Sequence, residues 1–213
     1  MSIKAKTTYI YHITHIQNLP KILKDECLWC DNERKEQNLE TQGIAYDAIK
    51  ERRSRRPVPT CKEGFVADYV PFYFAARSPM LYAIYRGTVD NYQGGQESIL
   101  HLVSKVELVT ETNLPFTFTN GHAEMALTEF YDSLDDLDKI DWDLMKSNRW
   151  NDIETDMNRK WRRQAEFLVH NHFPIDLIAG IGVMSDRIKN EVEEILKASN
   201  IEIKVAVLPN WYY

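Results

Sequence analysis

The feature that most constrains this chain is a succession of short apolar, β-branched and aromatic runs, separated by polar segments able to form helices. Thr8 to Thr14 alternates and carries Tyr and Ile, as a half-buried strand does. Similar runs occupy 68–75 (DYVPFYFA), 98–109, 114–120 (LPFTFTN), 164–170 (QAEFLVH), 177–184 (LIAGIGVM) and 201–208. Pro71 predicts a break in the second of them. Between the runs, Asn18 and Pro20 mark a helix start that ends near Asp25. A second helix is expected over roughly 44–54, and a third opens at Pro79. Ser185 caps a fourth through Ala198, with Ile188, Val192, Ile195 and Leu196 on one face. Residues 121–160 are acidic and poor in branched apolar side chains, which suits a large helical excursion. The pattern predicts one mixed α/β or α+β domain over residues 1–213. Strand order is not encoded in such local signals.

Several classes are excluded or disfavoured. No apolar run approaches the ~20 residues of a membrane span. Met1 to Tyr9 has no apolar core of a secretory leader, so a cytoplasmic protein without a membrane partner is expected. Cys27 and Cys30 form a C-x-x-C pair, but no second pair completes a metal set, and with Cys61 they read as plain thiols. No metal is expected. Gly180 and Gly182 lack the third glycine of a dinucleotide loop, and no P-loop Lys follows.

Charge is segregated. The net charge is −6, yet Lys50 to Arg56 reads KERRSRR and Arg159 to Arg163 reads RKWRR, with the acidic stretch 129–143 between them. Such islands can hold a phosphate backbone locally on an acidic protein. An Arg fork grips a pyrophosphate bidentately. On a helix Arg52 and Arg56 share a face and Arg53 lies on another; a solvated face is the plainer reading. On a strand, His12 and Thr14 share a face and together suit a sugar or carboxamide, or mark an exposed edge. Gln164 and Glu166 likewise share a face, with Ala165 and Phe167 toward the core. A carboxylate there can stabilise an oxocarbenium-like sugar while the amide places a nucleophile. An ordinary half-exposed strand carries the same pattern.

Four blocks, YHITHIQNLPKILKDECLWCD, IKERRSRRPVP, DYVPFYFAARSPMLYAI and RRQAEFLVHNHFP, stand in order between residues 11 and 174. Together they resemble the DarT family of DNA ADP-ribosyltransferase toxins. The resemblance implies an α+β ADP-ribosyltransferase fold: two packed, mostly antiparallel sheets with flanking helices and a helical DNA-facing insertion. NAD⁺ would lie in the cleft between the sheets and donate ADP-ribose to a base in single-stranded DNA, thymine first and guanine as the alternative. It implies Glu166 as the catalytic carboxylate, with Gln164 and Arg52 in the catalytic set. It implies His12, Thr14, Arg52, Arg53, Tyr73, Phe74, Arg77 and Met80 around NAD⁺. The segment 121–163 would meet DNA, through Asn148, Arg149, Trp150, Asn151, Arg159, Trp161, Arg162 and Arg163. Asn120, His122 and Asn158 could also read a base edge. A macrodomain antitoxin is the implied partner of a monomeric toxin. Two other readings remain at this point: an enzyme of the same fold acting on RNA or protein, and a non-catalytic single-strand-binding module.

Overall fold

The computed structural model describes residues 7–213; most of the expected leader-free segment Met1 to Tyr9 lies outside them. In chain order the first half holds β1 (Tyr9–His15), α1 (Leu19–Lys24), β2 (Cys27–Trp29), α2 (Asp31–Glu36), α3 (Asp47–Arg53), β3 (Tyr69–Tyr73) and α4 (Pro79–Tyr85). Next come β4 (Ile99–Lys105), α5 (Val106–Glu111), β5 (Phe116–Thr119), β6 (Phe130–Tyr131), α6 (Trp142–Lys146) and α7 (Arg159–Arg162). The chain closes with β7 (Glu166–His170), β8 (His172–Pro174), β9 (Gly180–Val183), α8 (Asp186–Ala198) and β10 (Val205–Val207).

The large sheet has eight strands in the order β10-β9-β4-β1-β3-β7-β5-β6, and β2 and β8 form a separate ribbon. All pairs are antiparallel except β9–β10, whose crossover is α8. The two sheets of the expected fold thus persist as halves of one sheet, for β1 and β3 share a single register pair, Tyr11 with Tyr73. On either side the ladders are long: β1 pairs with β4 from Tyr9 to His15, and β3 pairs with β7 from Tyr69 to Tyr73. Beyond Tyr11 the halves splay, and the splay creates the cavity described below.

Pro71 sits at this seam. The strand runs through it rather than breaking as expected, because in an antiparallel strand a residue's N and C=O point to one side. The Pro71 carbonyl points toward β1 and receives the His12 side chain, so the missing N–H also faces the splay, where no ladder needs it.

One face of the sheet carries the main core, including Ile10, Phe72, Leu100, Phe118, Phe167 and the apolar stripe Ile188, Val192 and Leu196 of α8. Ser185 caps α8 as predicted, its hydroxyl accepting from the Ile188 amide. A second cluster on the other side joins Ile13, Leu81, Ile84, Ile99 and Tyr212. Gly182 admits the Trp211 ring there; a Cβ would stand 2.7 Å from it. Behind Trp211 the imidazole of His101 is fully buried. Its Nε2 donates to the Ala76 carbonyl at 3.0 Å, and the Tyr212 hydroxyl lies 3.2 Å from Nδ1. Burial holds its pKa down to about 4.

Several local expectations are revised. Asn18 does not cap α1; its backbone is already helical and its amide is used elsewhere. The run 98–109 turns from strand to helix at Val106, and 31–36 adds a helix. Gln164 precedes β7 instead of lying in it. The segment 121–160 is not one large helical excursion but short helical turns joined by irregular chain. Its acids cap and neutralise: Asp141, for instance, accepts from the Leu144 amide and pairs with Arg162.

Candidate active site

The splay opens into a cavity of about 1130 Å³. That slightly exceeds the ~300–1,000 Å³ usual for small-molecule sites, room enough for a dinucleotide. Strand β1 supplies His12 and Thr14, β3 supplies Pro71 and Tyr73, β7 supplies Glu166 and α3 supplies Lys50 and Arg53.

His12 bridges the seam. Its Nδ1 lies 2.8 Å from the Pro71 carbonyl, which can only accept, so Nδ1 carries the proton and Nε2 presents a lone pair. Burial lowers its pKa to about 4, against the opposing hydrogen bond to Pro71, and the ring is neutral at pH 7. Thr14 accepts from the Asn18 amide at 3.1 Å. The same amide group donates to the Gln42 carbonyl and accepts from the Gln42 N–H at 2.7 Å. Asn18 therefore ties the 41–46 wall of the cavity to β1.

Glu166 is 2% exposed and buried against Arg53. One guanidinium nitrogen, Nη1, lies 3.0 Å from Oε1 and 2.8 Å from Oε2, and the Ala123 amide donates to Oε1 at 3.1 Å. A carboxylate offers about four lone-pair sites, so Oε2 retains capacity for a substrate hydroxyl or proton. Arg53 Nη2 is buried with no partner among the described residues. Burial opposes the Arg53 charge, but Glu166 more than compensates and its pKa rises. Tyr73 stands opposite Glu166 in the ladder; burial, then the neighbouring carboxylate, push its phenol up.

The neighbour Arg52 points the other way. Its guanidinium grips Glu124 at the surface and lines no part of the cavity, so its assignment to the catalytic and NAD⁺-binding sets is corrected. Successive helical residues are ~100° apart, and only one of the pair can enter. Arg56 lies past the end of α3 and stacks over Phe130. Phe74 is corrected as well: in step with Phe72 it faces the core and packs on Phe118, Phe167 and Trp142. Tyr73, Arg77 and Met80 line the cavity, as does Gln164, although its amide donates to the Lys160 carbonyl.

The proposed DNA contacts divide. Asn148, Arg149, Trp150 and Asn151 line the cavity. Trp150 is only 9% exposed, and its indole N–H donates to the Tyr213 hydroxyl. Arg159 holds the Arg149 carbonyl and Asp156. Trp161 donates to Thr128 and covers Gly121 so closely that a Cβ would fall 2.1 Å from the ring. Arg162 is neutralised by Asp141 and Asp156. Arg163 is buried, donating to the carbonyls of Leu144, Met145, Ser147 and Arg77. Arg163, buried, is corrected from a DNA contact to a brace of the segment, Trp161 and Arg162 hold partners within the chain, and of the RKWRR island only Lys160 lines the cavity. Asn120 is likewise engaged by Glu129.

Among the described residues, Lys50, Arg77, Arg86, Arg149 and Lys160 line the cavity with no carboxylate in ion-pair reach. A chain of net charge −6 thus concentrates unneutralised cations in one cleft, the condition for binding phosphates there. His122, which sequence reading took for a base-edge reader, also reaches the cavity and leans on Glu124 at 3.4 Å. Asn18 and Tyr213 carried no sequence signal for a site, since their roles depend on residues far along the chain.

A pH dependence follows from the two deeply held imidazoles. His12 and His101 keep pKa values of about 4 in the fold against ~6.5 when unfolded. Between these values the unfolded chain binds more protons, so stability is full above pH 6.5 and falls as pH drops toward 4. Urea unfolding across that range should show the decline, with up to about two protons taken up on unfolding. A flat profile would contradict the neutral state of both rings.

Comparison with known proteins gives a consistent family. Residues 11–213 match the family model described as "ssDNA thymidine ADP-ribosyltransferase, DarT". A DNA ADP-ribosyl transferase of Thermus sp. (strain 2.9) is 44% identical over 208 residues, which is 97% of this chain and 96% of the relative. The structure of Thermus sp. 2.9 DarT in complex with ADP-ribosylated ssDNA superposes with a TM-score of 0.90, covering 97% of this chain and 96% of that one at 44% identity. The same protein in complex with NAD⁺ superposes at 0.87, with 41% identity, covering 97% of this chain and 98% of that one.

Proposed function

The chain belongs to the DarT family of single-stranded-DNA thymidine ADP-ribosyltransferases, and from this premise and the cavity we propose that Glu166, held by Arg53, is the carboxylate on which the transfer turns. The chain is an NAD⁺-dependent DNA ADP-ribosyltransferase. A passive single-strand-binding module is thereby set aside.

The observation that carries the site assignment is the buried Glu166–Arg53 pair at the cavity wall, with Oε2 undersaturated and Nη2 unpartnered. In the reaction, the bond between nicotinamide and ribose C1′ breaks and positive charge grows on the sugar. Glu166 faces that charge and accepts from a ribose hydroxyl, a stabilisation present chiefly in the transition state. His12 Nε2, an acceptor, and the Thr14 hydroxyl receive the nicotinamide ribose or its carboxamide. Arg53 orders the carboxylate and offers Nη2 to a substrate oxygen. The pyrophosphate draws on Lys50 and Arg77, which leaves Arg86, Arg149 and Lys160 to the DNA. A new bond forms from C1′ to a base nitrogen, nicotinamide leaves, and the nitrogen's proton passes to Glu166 Oε2. Thymine N3 is the favoured acceptor. An adduct there removes a Watson–Crick donor, which accounts for a toxic effect on a DNA template.

The wall at Asn148–Asn151, with Lys160, receives the DNA. A base must leave any stack to reach Glu166, so single strands are preferred over duplex. Cavity walls drawn from His12 through Tyr213 support reading the chain as one domain. In this reading a macrodomain antitoxin that removes the modification is its partner. The test is incubation with NAD⁺ and single-stranded oligonucleotides of varied sequence, read by mass spectrometry. ADP-ribose should appear on thymine within a preferred context and scarcely on duplex or RNA. Adducts spread equally over all four bases would overturn the assignment of the base.

A further inference from the structure

On one wall of the cavity stands a cluster of rings to which the reaction above gives no role. Helix α4 contributes Tyr82 and Tyr85, and Tyr213 packs on both, with ring centroids 5.0 Å from Tyr82 and 6.1 Å from Tyr85. The rings of Tyr85 and Tyr213 are inclined by only 26°. Trp150 closes the back, edge-on to Tyr82 at 5.5 Å. Tyr85 is 52% exposed and lies outside the cavity lining, so the cluster extends from the cavity onto the surface. Arg77 stacks over Tyr213 at 4.2 Å, and Arg86 lies 5.9 Å from the centre of Tyr82. Neither Arg, nor Arg149 on the facing wall, has a carboxylate in ion-pair reach among the described residues.

An exposed ring backed by two half-buried ones and bordered by unneutralised guanidinium groups matches a polyanion that carries flat apolar units. A single-stranded nucleic acid is such a ligand: bases stack on rings and phosphates meet the cations. A protein partner would instead need an acidic surface with a matching apolar knob. The shelf is continuous with the wall proposed to receive DNA, since Tyr82, Arg86, Arg149 and Tyr213 all line the cavity.

We propose that the Tyr82–Tyr85–Tyr213 shelf holds the nucleotide flanking the target base, its base stacked on Tyr85 and its phosphates drawn by Arg86 and Arg149. The proposal rests on the single-stranded-DNA reading above and adds a second subsite to it. Stacking tolerates any base, so the shelf supplies affinity and register while selection occurs in the cavity.

The test compares wild type, Tyr85→Ala, Tyr85→Phe and Arg86→Ala. Each is measured for the Kd of a fluorescent single-stranded oligonucleotide, the KM for the same oligonucleotide, and the Kd for NAD⁺. Tyr85→Ala should raise the oligonucleotide Kd and KM about tenfold, the scale of one lost base–ring stack. Tyr85→Phe should remain near wild type, and the NAD⁺ Kd should not move in either Tyr85 variant. Arg86→Ala should make the salt dependence shallower by about 0.7 in log–log slope. Unchanged oligonucleotide Kd and KM in Tyr85→Ala would overturn the shelf. So would an equal loss of NAD⁺ affinity, which would make Tyr85 part of the nucleotide-donor site. Wild-type protein that binds the oligonucleotide through Tyr85 but never modifies it would leave the shelf standing and overturn the catalytic reading.

Discussion

Glu166→Gln is expected to lower DNA ADP-ribosylation by at least about 10²-fold while NAD⁺ still binds. Gln keeps the shape and one acceptor oxygen, so ground-state contacts with ribose change little. What disappears is the negative charge facing the developing cation and the group that takes the proton from the base. Stability should fall too. The substitution leaves the Arg53 guanidinium buried without a counter-charge, and breaking a buried pair from one side costs roughly 3–5 kcal/mol. Activity must therefore be measured well below the variant's melting temperature, with NAD⁺ calorimetry to show an intact cavity. A folded, NAD⁺-binding Glu166→Gln protein that modifies DNA like wild type would sink the assignment.

Arg53→Ala should be at least as damaging, and Arg52→Ala should not. Removing Arg53 leaves the Glu166 carboxylate buried with the backbone N–H of Ala123 as its remaining donor among the described residues. That should cost roughly 3–5 kcal/mol of stability, together with most of the activity, because the carboxylate loses its fixed position. Arg52 is 55% exposed and lies outside the cavity, so its loss leaves the Glu166 carboxylate and its donors in place. The double variant Arg53→Met/Glu166→Gln separates the two effects. With neither charge left buried alone, it should recover much of the lost stability and none of the activity. Thermal melts and oligonucleotide assays on the four proteins decide the matter. If Arg53→Ala melts and reacts like Arg52→Ala, the pair is neither the brace nor the catalytic support inferred from its geometry.

Much of the local architecture was legible. Ser185 as a cap, the Ile188–Val192–Leu196 stripe, Pro79 at a helix start and β1 as a strand all follow from near-neighbour geometry, which a sequence states directly, although β1 is buried without alternation from Ile13 to His15. Among the described residues no helix is long and apolar enough to cross a membrane. The block order also pointed to the family.

The choice between Arg52 and Arg53 was not legible, because helical periodicity separates the two faces without saying which one meets the sheet. Nor was the fate of the RKWRR island. Its charges look free along the chain, yet Asp141 and Asp156 approach Arg162 only once the 121–163 segment folds back. The 98–109 run changes from strand to helix where packing outweighs composition. By itself, then, the sequence determined which segments could be strands and helices, and which side chains could do glycosyl-transfer chemistry. Tertiary structure alone decided that β1 and β3 meet at one residue pair and then part, that His12 fills the seam, and that Arg53 and Glu166, 113 positions apart, share one buried contact. The physical reason is that periodicity and capping are set by residues a few positions apart, whereas long-range pairings are chosen by how whole elements bury their apolar faces and satisfy their polar groups together.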